Sequence, residues 1–195
     1  AVVQDEMQYL ELPSVGDNYR WIPAMMAWGT DEQKRRYIIP SLGGESITWQ
    51  AFNEPQGGSD LAAIRTRADL HGDEYVISGE KAFITGRFDP DYLWTLAVTD
   101  PDRPRHHNLG VLMVDAQLPG IIIKEQKMLM GSERRIYFNG VRIPADCLVG
   151  TPYQGWDIAQ SILEVERGGH GFETSADGTV EDVLRFLIDQ SGGAV

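Results

Sequence analysis

The strongest constraint on this chain is that its hydrophobic period changes twice. Between residues 47 and 149 the apolar residues recur at strand spacing, in short runs cut by turn signals. Residues 47–53 and 64–70 alternate, with Arg65, Arg67 and Asp69 on the face opposite the apolar one. His71-Gly72-Asp73 and Ser78-Gly79 bracket a short strand at residues 75–77. Residues 92–98 and 109–114 are continuous apolar runs, the pattern of strands buried on both faces. Pro119-Gly120 and Asn139-Gly140 punctuate the later strands. Many short strands with regular turns predict a small antiparallel barrel or sandwich.

On either side the period is helical. Thr30-Asp31-Glu32-Gln33 is a capping-box pattern that opens a short helix through Ile39, with Pro40 closing it. Residues 21–28 are apolar and aromatic enough for a buried helix, with Pro23 tolerated in its first turn. A helix is predicted over 156–167, an irregular stretch over 168–177 and a further helix over 180–188. Trp21, Trp28 and Trp49 lie in segments with few neighbours to bury them, which implies a larger partner or further sequence.

Composition excludes some classes. A formal net charge of −12 over 195 residues argues against nucleic-acid binding, because phosphate backbones attract basic surfaces. The single cysteine, Cys147, rules out an internal disulfide and fits a reducing compartment. No apolar run reaches the roughly 18 residues of a membrane span, and Ala1–Glu6 lacks a basic signal-peptide start. The expectation is a cytoplasmic protein with neither membrane nor nucleic-acid partner, and no spacing suggests a metal site.

Four segments carry a family resemblance. Phe52-Asn53-Glu54-Pro55-Gln56-Gly57-Gly58-Ser59-Asp60 is similar to a [TS]-E-P-x-x-G-S-D signature, and Gly79-Glu80-Lys81-Ala82-Phe83-Ile84-Thr85 to G-x-K-x-[WF]-I-[TS]. The ten residues from Val141 to Gly150 resemble V-R-V-P-x-x-N-L-L-G, and Gln154-Gly155-Trp156 opens a helix ending in Glu166-Arg167. In order and spacing the four resemble the flavin-dependent acyl-CoA dehydrogenase family. The resemblance implies an α+β fold: a central antiparallel β-barrel flanked by partial all-helical N- and C-terminal domains. Residues 1–46 would end the first helical domain, 47–152 form the barrel, and 153–195 begin the second helical domain. It also implies FAD as cofactor, an acyl-CoA substrate oxidised to the 2-enoyl-CoA, and electron-transfer flavoprotein as electron partner. A homo- or hetero-oligomer with an acyl-CoA dehydrogenase-like subunit completes the expectation.

The residue roles follow the same resemblance. Gln50, Phe52, Asn53, Gly58, Ser59, Phe83, Ile84 and Thr85 are the implied flavin contacts, with Ser59, Glu164 and Arg167 near the substrate. Gly57 and Gly58 let a ligand approach the backbone and present N–H groups; the competing reading is a plain turn between strands. Asn53 stands where the family usually has Thr or Ser, and Phe83 where many members have Trp. The Thr85 hydroxyl is the implied partner of flavin N5, although an isolated strand Thr is ordinarily there for β-propensity. The loop at residues 129–135 is shorter than the family's.

Glu166 is the implied catalytic base. In a helix at about 100° per residue, Ile158, Ala159, Ile162, Leu163 and Val165 share a broad apolar face on which Glu166 falls, and desolvation there raises a carboxyl pKa. The alternatives are an internal pair with Arg142, or a base carried elsewhere, as in other family members. At the level of activity, three alternatives stay open: an acyl-CoA oxidase or flavin monooxygenase of the same fold, a non-catalytic subunit beside an active homologue, and a β-barrel binding module. The Glu-Arg-Gly-Gly helix end and the loop of Asp100-Pro101 and His106-His107 resemble a bacterial branch that acts on bulky, steroid-like acyl chains.

Overall fold

The computed structural model describes residues 20–86, 88–129 and 131–166, the side chains of 164–166 excepted. The chain divides into two compact units, residues 15–162 and residues 1–14 with 163–195. The predicted helix over 180–188 lies outside the described residues.

Helix α1 (Ile22–Trp28) begins with proline in its first turn and buries Ala24 and Met25. After it, Thr30 caps α2 (Asp31–Gln33) through a complete capping box. The helix does not stop at Pro40. It passes through a π-helical stretch, Lys34–Ile38, into α3 (Ile39–Leu42), and ends at Gly43. A proline lacks the N–H that an α-helix interior requires, and here it falls in the first turn after the π stretch, where the regular α ladder restarts. Gln33 also fastens this segment to the sheet side, its Nε2 donating to the carbonyls of Asp146 (2.7 Å) and Leu148 (2.8 Å).

Eight strands follow: β1 (Thr48–Ala51), β2 (Arg67–His71), β3 (Glu74–Ile84), β4 (Tyr92–Val98), β5 (Leu109–Asp115), β6 (Ile121–Lys127), β7 (Ser132–Pro144) and β8 (Leu148–Val149). They pair in the order β6-β7-β3-β2-β4-β5-β8, with β1 beside β4. The sheet is mixed rather than wholly antiparallel. β1 runs parallel to β4 from Thr48↔Tyr92 to Ala51↔Thr95, and β2 meets β4 in parallel at Arg67↔Val98. Parallel neighbours need a long crossover, and residues 52–91 supply it. β1 and β2 therefore share one edge of β4, and the chain between them leaves the sheet there.

Inward residues from most strands form one core that includes Trp49, Ile77, Leu93, Leu112, Ile136 and Phe138. At about 1.5–3 kcal/mol for each fully buried large apolar side chain, this core is the main stabilising element of the unit. β4 and β5 are also buried on their second face. Trp21 covers Trp94 there, ring centroids 5.7 Å apart. Helix α4 (Gly155–Glu166) enters against the Leu109–Gly110 backbone, where a Cβ on Gly155 would come within 2.6 Å of main-chain atoms.

Two glycine signals have a different meaning from the expected one. Ser78-Gly79 does not end a strand, because β3 runs through it, and Asn139-Gly140 lies inside β7. Ile77 pairs with Val141 and Ser78 with Asn139, leaving Gly140 (φ +64°) as the extra residue of a bulge. No helix among the described residues is long and apolar enough to cross a membrane.

Candidate functional site

The segment that leaves β1 is tied to β3 by a buried ion pair. Lys81 Nζ lies 2.9 Å from Glu54 Oε1, with side chains 0% and 3% exposed. It also donates to the Phe52 carbonyl at 3.0 Å. The Glu54 carboxylate accepts from the backbone N–H of Arg65 (2.6 Å) and Thr66 (2.9 Å), and from Gln56 Nε2. Burial pushes Glu54 up, but Lys81 and the Thr66 donors outweigh it and hold the carboxyl below its usual range. Burial pulls Lys81 down to about 8, against the opposing pull of Glu54.

Around this pair the structure gathers part of the expected site. The Ala82 N–H donates to the Asn53 carbonyl at 2.9 Å, so Asn53 and Phe83 lie on adjoining backbone. Asn53 faces Gly58, where a Cβ would stand 3.6 Å from Asn53 Oδ1. Gly57 does not present its amide outward as expected: its N–H is bonded to the Glu54 carbonyl, whereas Gly58 is exposed. Phe83 is 43% exposed although it sits in a strand, and its φ of +59° places it in the left-handed region. A conformation of that kind costs about 1–3 kcal/mol and persists only where its surroundings impose it. Here one flank is Lys81 and Ala82, and the other is Gly86, on which Trp49 lies so closely that a Cβ would come within 2.1 Å of the indole.

The other predicted positions differ in what they expose. Ser59 and Thr85 are solvent-facing. Ile84 and Phe52 are buried, Ile84 in the core, and the Phe52 carbonyl is already taken by Lys81. These two have only remaining backbone groups to offer a ligand. Gln50 carries a buried Oε1 with no hydrogen-bond partner among the described residues, an acceptor that a bound group could satisfy. Asp60, next to Ser59, is paired with Arg105 of the loop between β4 and β5. In that loop Arg103 stacks over Tyr153 at 3.5 Å and His106 lies 4.4 Å from the Trp156 ring, so His106 is used in packing.

The apolar face of α4 is buried at Ile158, Ala159 and Ile162. The side chains of Glu164 and Glu166, and all of Arg167, lie outside the described residues. Arg142, the alternative partner for Glu166, is paired with Glu74 at 3.2 Å.

Glu54 and Lys81 themselves had no assigned part in the sequence reading. A signal was present: Lys81 falls in phase with Tyr75 and Ile77, the inward residues of β3, and a lysine at an inward strand position requires a buried partner.

Residues 50–141 match the family model described as acyl-CoA dehydrogenase, middle domain. The acyl-CoA dehydrogenase FadE29 of Mycobacterium tuberculosis is 36% identical over 147 residues, covering 74% of this chain and 38% of that protein. The short-chain specific mitochondrial acyl-CoA dehydrogenase of Bos taurus is 33% identical over 159 residues, 78% of this chain and 38% of the relative. The chain thus spans well under half the length of these relatives. Among solved structures, the Tcur3481-Tcur3483 steroid ACAD superposes with a TM-score of 0.79 at 32% identity, covering 96% of this chain and 50% of that one. The ChsE4-ChsE5 complex from Mycobacterium tuberculosis does so at 0.75 and 30% identity, covering 84% and 43%. The chain belongs to the acyl-CoA dehydrogenase family, and its strands carry that family's middle domain.

Proposed function

We propose that this protein takes part in the FAD-dependent α,β-dehydrogenation of an acyl-CoA thioester to the 2-enoyl-CoA, on a bulky, steroid-like acyl chain. The observation that carries the reading is the wall formed by Asn53, bare Gly58 and the strained, exposed Phe83. Its donor set fits a flavin: an aromatic face, an amide side chain, an open backbone, and the Gln50 acceptor for a ring or ribityl donor. FAD, when bound, supplies the acceptor for the hydride that leaves the β-carbon.

The chain's own residues do the rest. Gln50, Asn53, Gly58, Ser59, Phe83 and Thr85 hold the cofactor, together with the backbone of Phe52 and Ile84. The Glu166 carboxylate takes the α-proton, and Ser59, Glu164 and Arg167 contact the thioester substrate. The name of the steroid ACAD supports the substrate class, and the two-component names Tcur3481-Tcur3483 and ChsE4-ChsE5 support a second subunit. A cytoplasmic setting and electron-transfer flavoprotein as electron acceptor accompany this reading.

Glu166→Gln tests it. FAD binding is expected to persist while anaerobic reduction of the bound flavin by acyl-CoA slows by roughly 10²–10⁴-fold. Near-normal reduction would assign the base to another residue.

A further inference from the structure

We infer that the buried Glu54–Lys81 pair is a positioning device: it fixes Asn53 and Phe83 against each other and so sets the electronic environment of the flavin. The inference rests on the FAD reading above and adds to it two residues that touch neither cofactor nor substrate.

A buried ion pair is weak evidence for stability, since well-packed apolar residues of similar volume often hold a fold as well or better. What the pair provides here is direction. The Glu54 carboxylate receives Lys81 from β3, the Arg65 and Thr66 amides from the approach to β2, and the Gln56 amide from its own turn. Four donors fill the acceptor capacity of a carboxylate, so its orientation is fully determined. Lys81 returns a second bond, to the Phe52 carbonyl. The residues on both sides of Asn53 are therefore held by one ammonium group, and the Asn53 carbonyl itself is held by Ala82. On the other strand the same lysine stands two residues before Phe83, at the bulge between Lys81 and Ile84 that gives Phe83 its left-handed backbone. Releasing the pair frees both walls at once.

The experiment uses the FAD-loaded protein and the neutral double variant Glu54→Gln/Lys81→Met, with thermal unfolding, FAD titration, the visible flavin spectrum and the flavin reduction potential as readouts. The expected result is a melting temperature close to wild type, an FAD Kd raised at least about tenfold (roughly 1.4 kcal/mol), displaced flavin bands and a shifted potential. An unchanged Kd, spectrum and potential in a folded double variant overturns the inference and leaves the pair a structural one. Should the double variant fail to fold, Glu54→Gln alone keeps one acceptor oxygen for Lys81 and Thr66 and is read the same way, with a smaller shift expected. Unaltered flavin properties there overturn the inference equally. A wild-type protein that takes up no FAD sinks the functional reading and this inference together; a loaded wild type with indifferent variants sinks this one alone.

Discussion

Two ion pairs with similar spacing behave as different objects. Glu54 and Lys81 meet at 2.9 Å beneath the sheet surface, whereas Glu74 and Arg142 meet at 3.2 Å across the outer end of β3 and β7, 44% and 64% exposed. Water screens the outer pair and can replace either partner. The inner pair has no such substitute, so each of its charges depends on the other and on the backbone groups around them. Distance alone does not predict what an ion pair does; the surroundings decide whether it is optional.

The largest effect that follows is on Lys81→Met. With the ammonium removed, a carboxylate stays buried without its counter-charge, and the expected loss is about 3–5 kcal/mol in denaturant unfolding. A loss below about 1 kcal/mol would erase the distinction between the two pairs.

The acid limb of stability sharpens the comparison next. The folded Glu54 carboxyl lies below its unfolded value of 4.5, so the unfolded chain binds more protons in that window. Its stabilising contribution is fully present above pH 4.5 and is lost as the pH falls through the lower folded value. Unfolding measured from pH 6 downward should show this loss in wild type and a flatter limb in the Glu54→Gln/Lys81→Met variant. An equally steep limb in both would place the acid sensitivity elsewhere.

The smallest effect belongs to Arg142→Ala, where about 0–1 kcal/mol is expected. A cost as large as that of Lys81→Met would mean that exposure is not what separates the pairs.

Much of this was legible in the amino-acid order, for physical reasons that differ by element. The runs at 92–98 and 109–114 read correctly as strands buried on both faces, because runs of six or seven mostly apolar residues fit a doubly covered strand and are short for a buried helix. The Thr30 capping box was equally plain, since its two side chains act within one turn. Gly79 was misread because glycine serves two purposes. It looked like a turn, but a Cβ there would meet Thr66 Cα at 2.6 Å, so it answers to close approach by a segment distant in sequence. The parallel placement of β1 was hidden for a similar reason: alternation reports which face is buried and says nothing about strand direction. For the candidate site, the aromatic, the amide and the glycine were visible in the motifs. The left-handed Phe83 backbone was not, because it arises from a register mismatch with β7 rather than from anything local.

Gln33 brings a consequence for how the structure opens and closes. Its Oε1 accepts the Thr30 amide that starts the helix, while its Nε2 holds the Asp146 and Leu148 carbonyls beside β8. One planar amide thus serves as both the helix's starting cap and its mooring. The helical segment cannot swing away from the strands and keep its cap with the same group, nor unwind its first turn and stay moored there. Detachment and fraying become a single event, so amide exchange at the start of α2 and in the turn before β8 should share one opening rate.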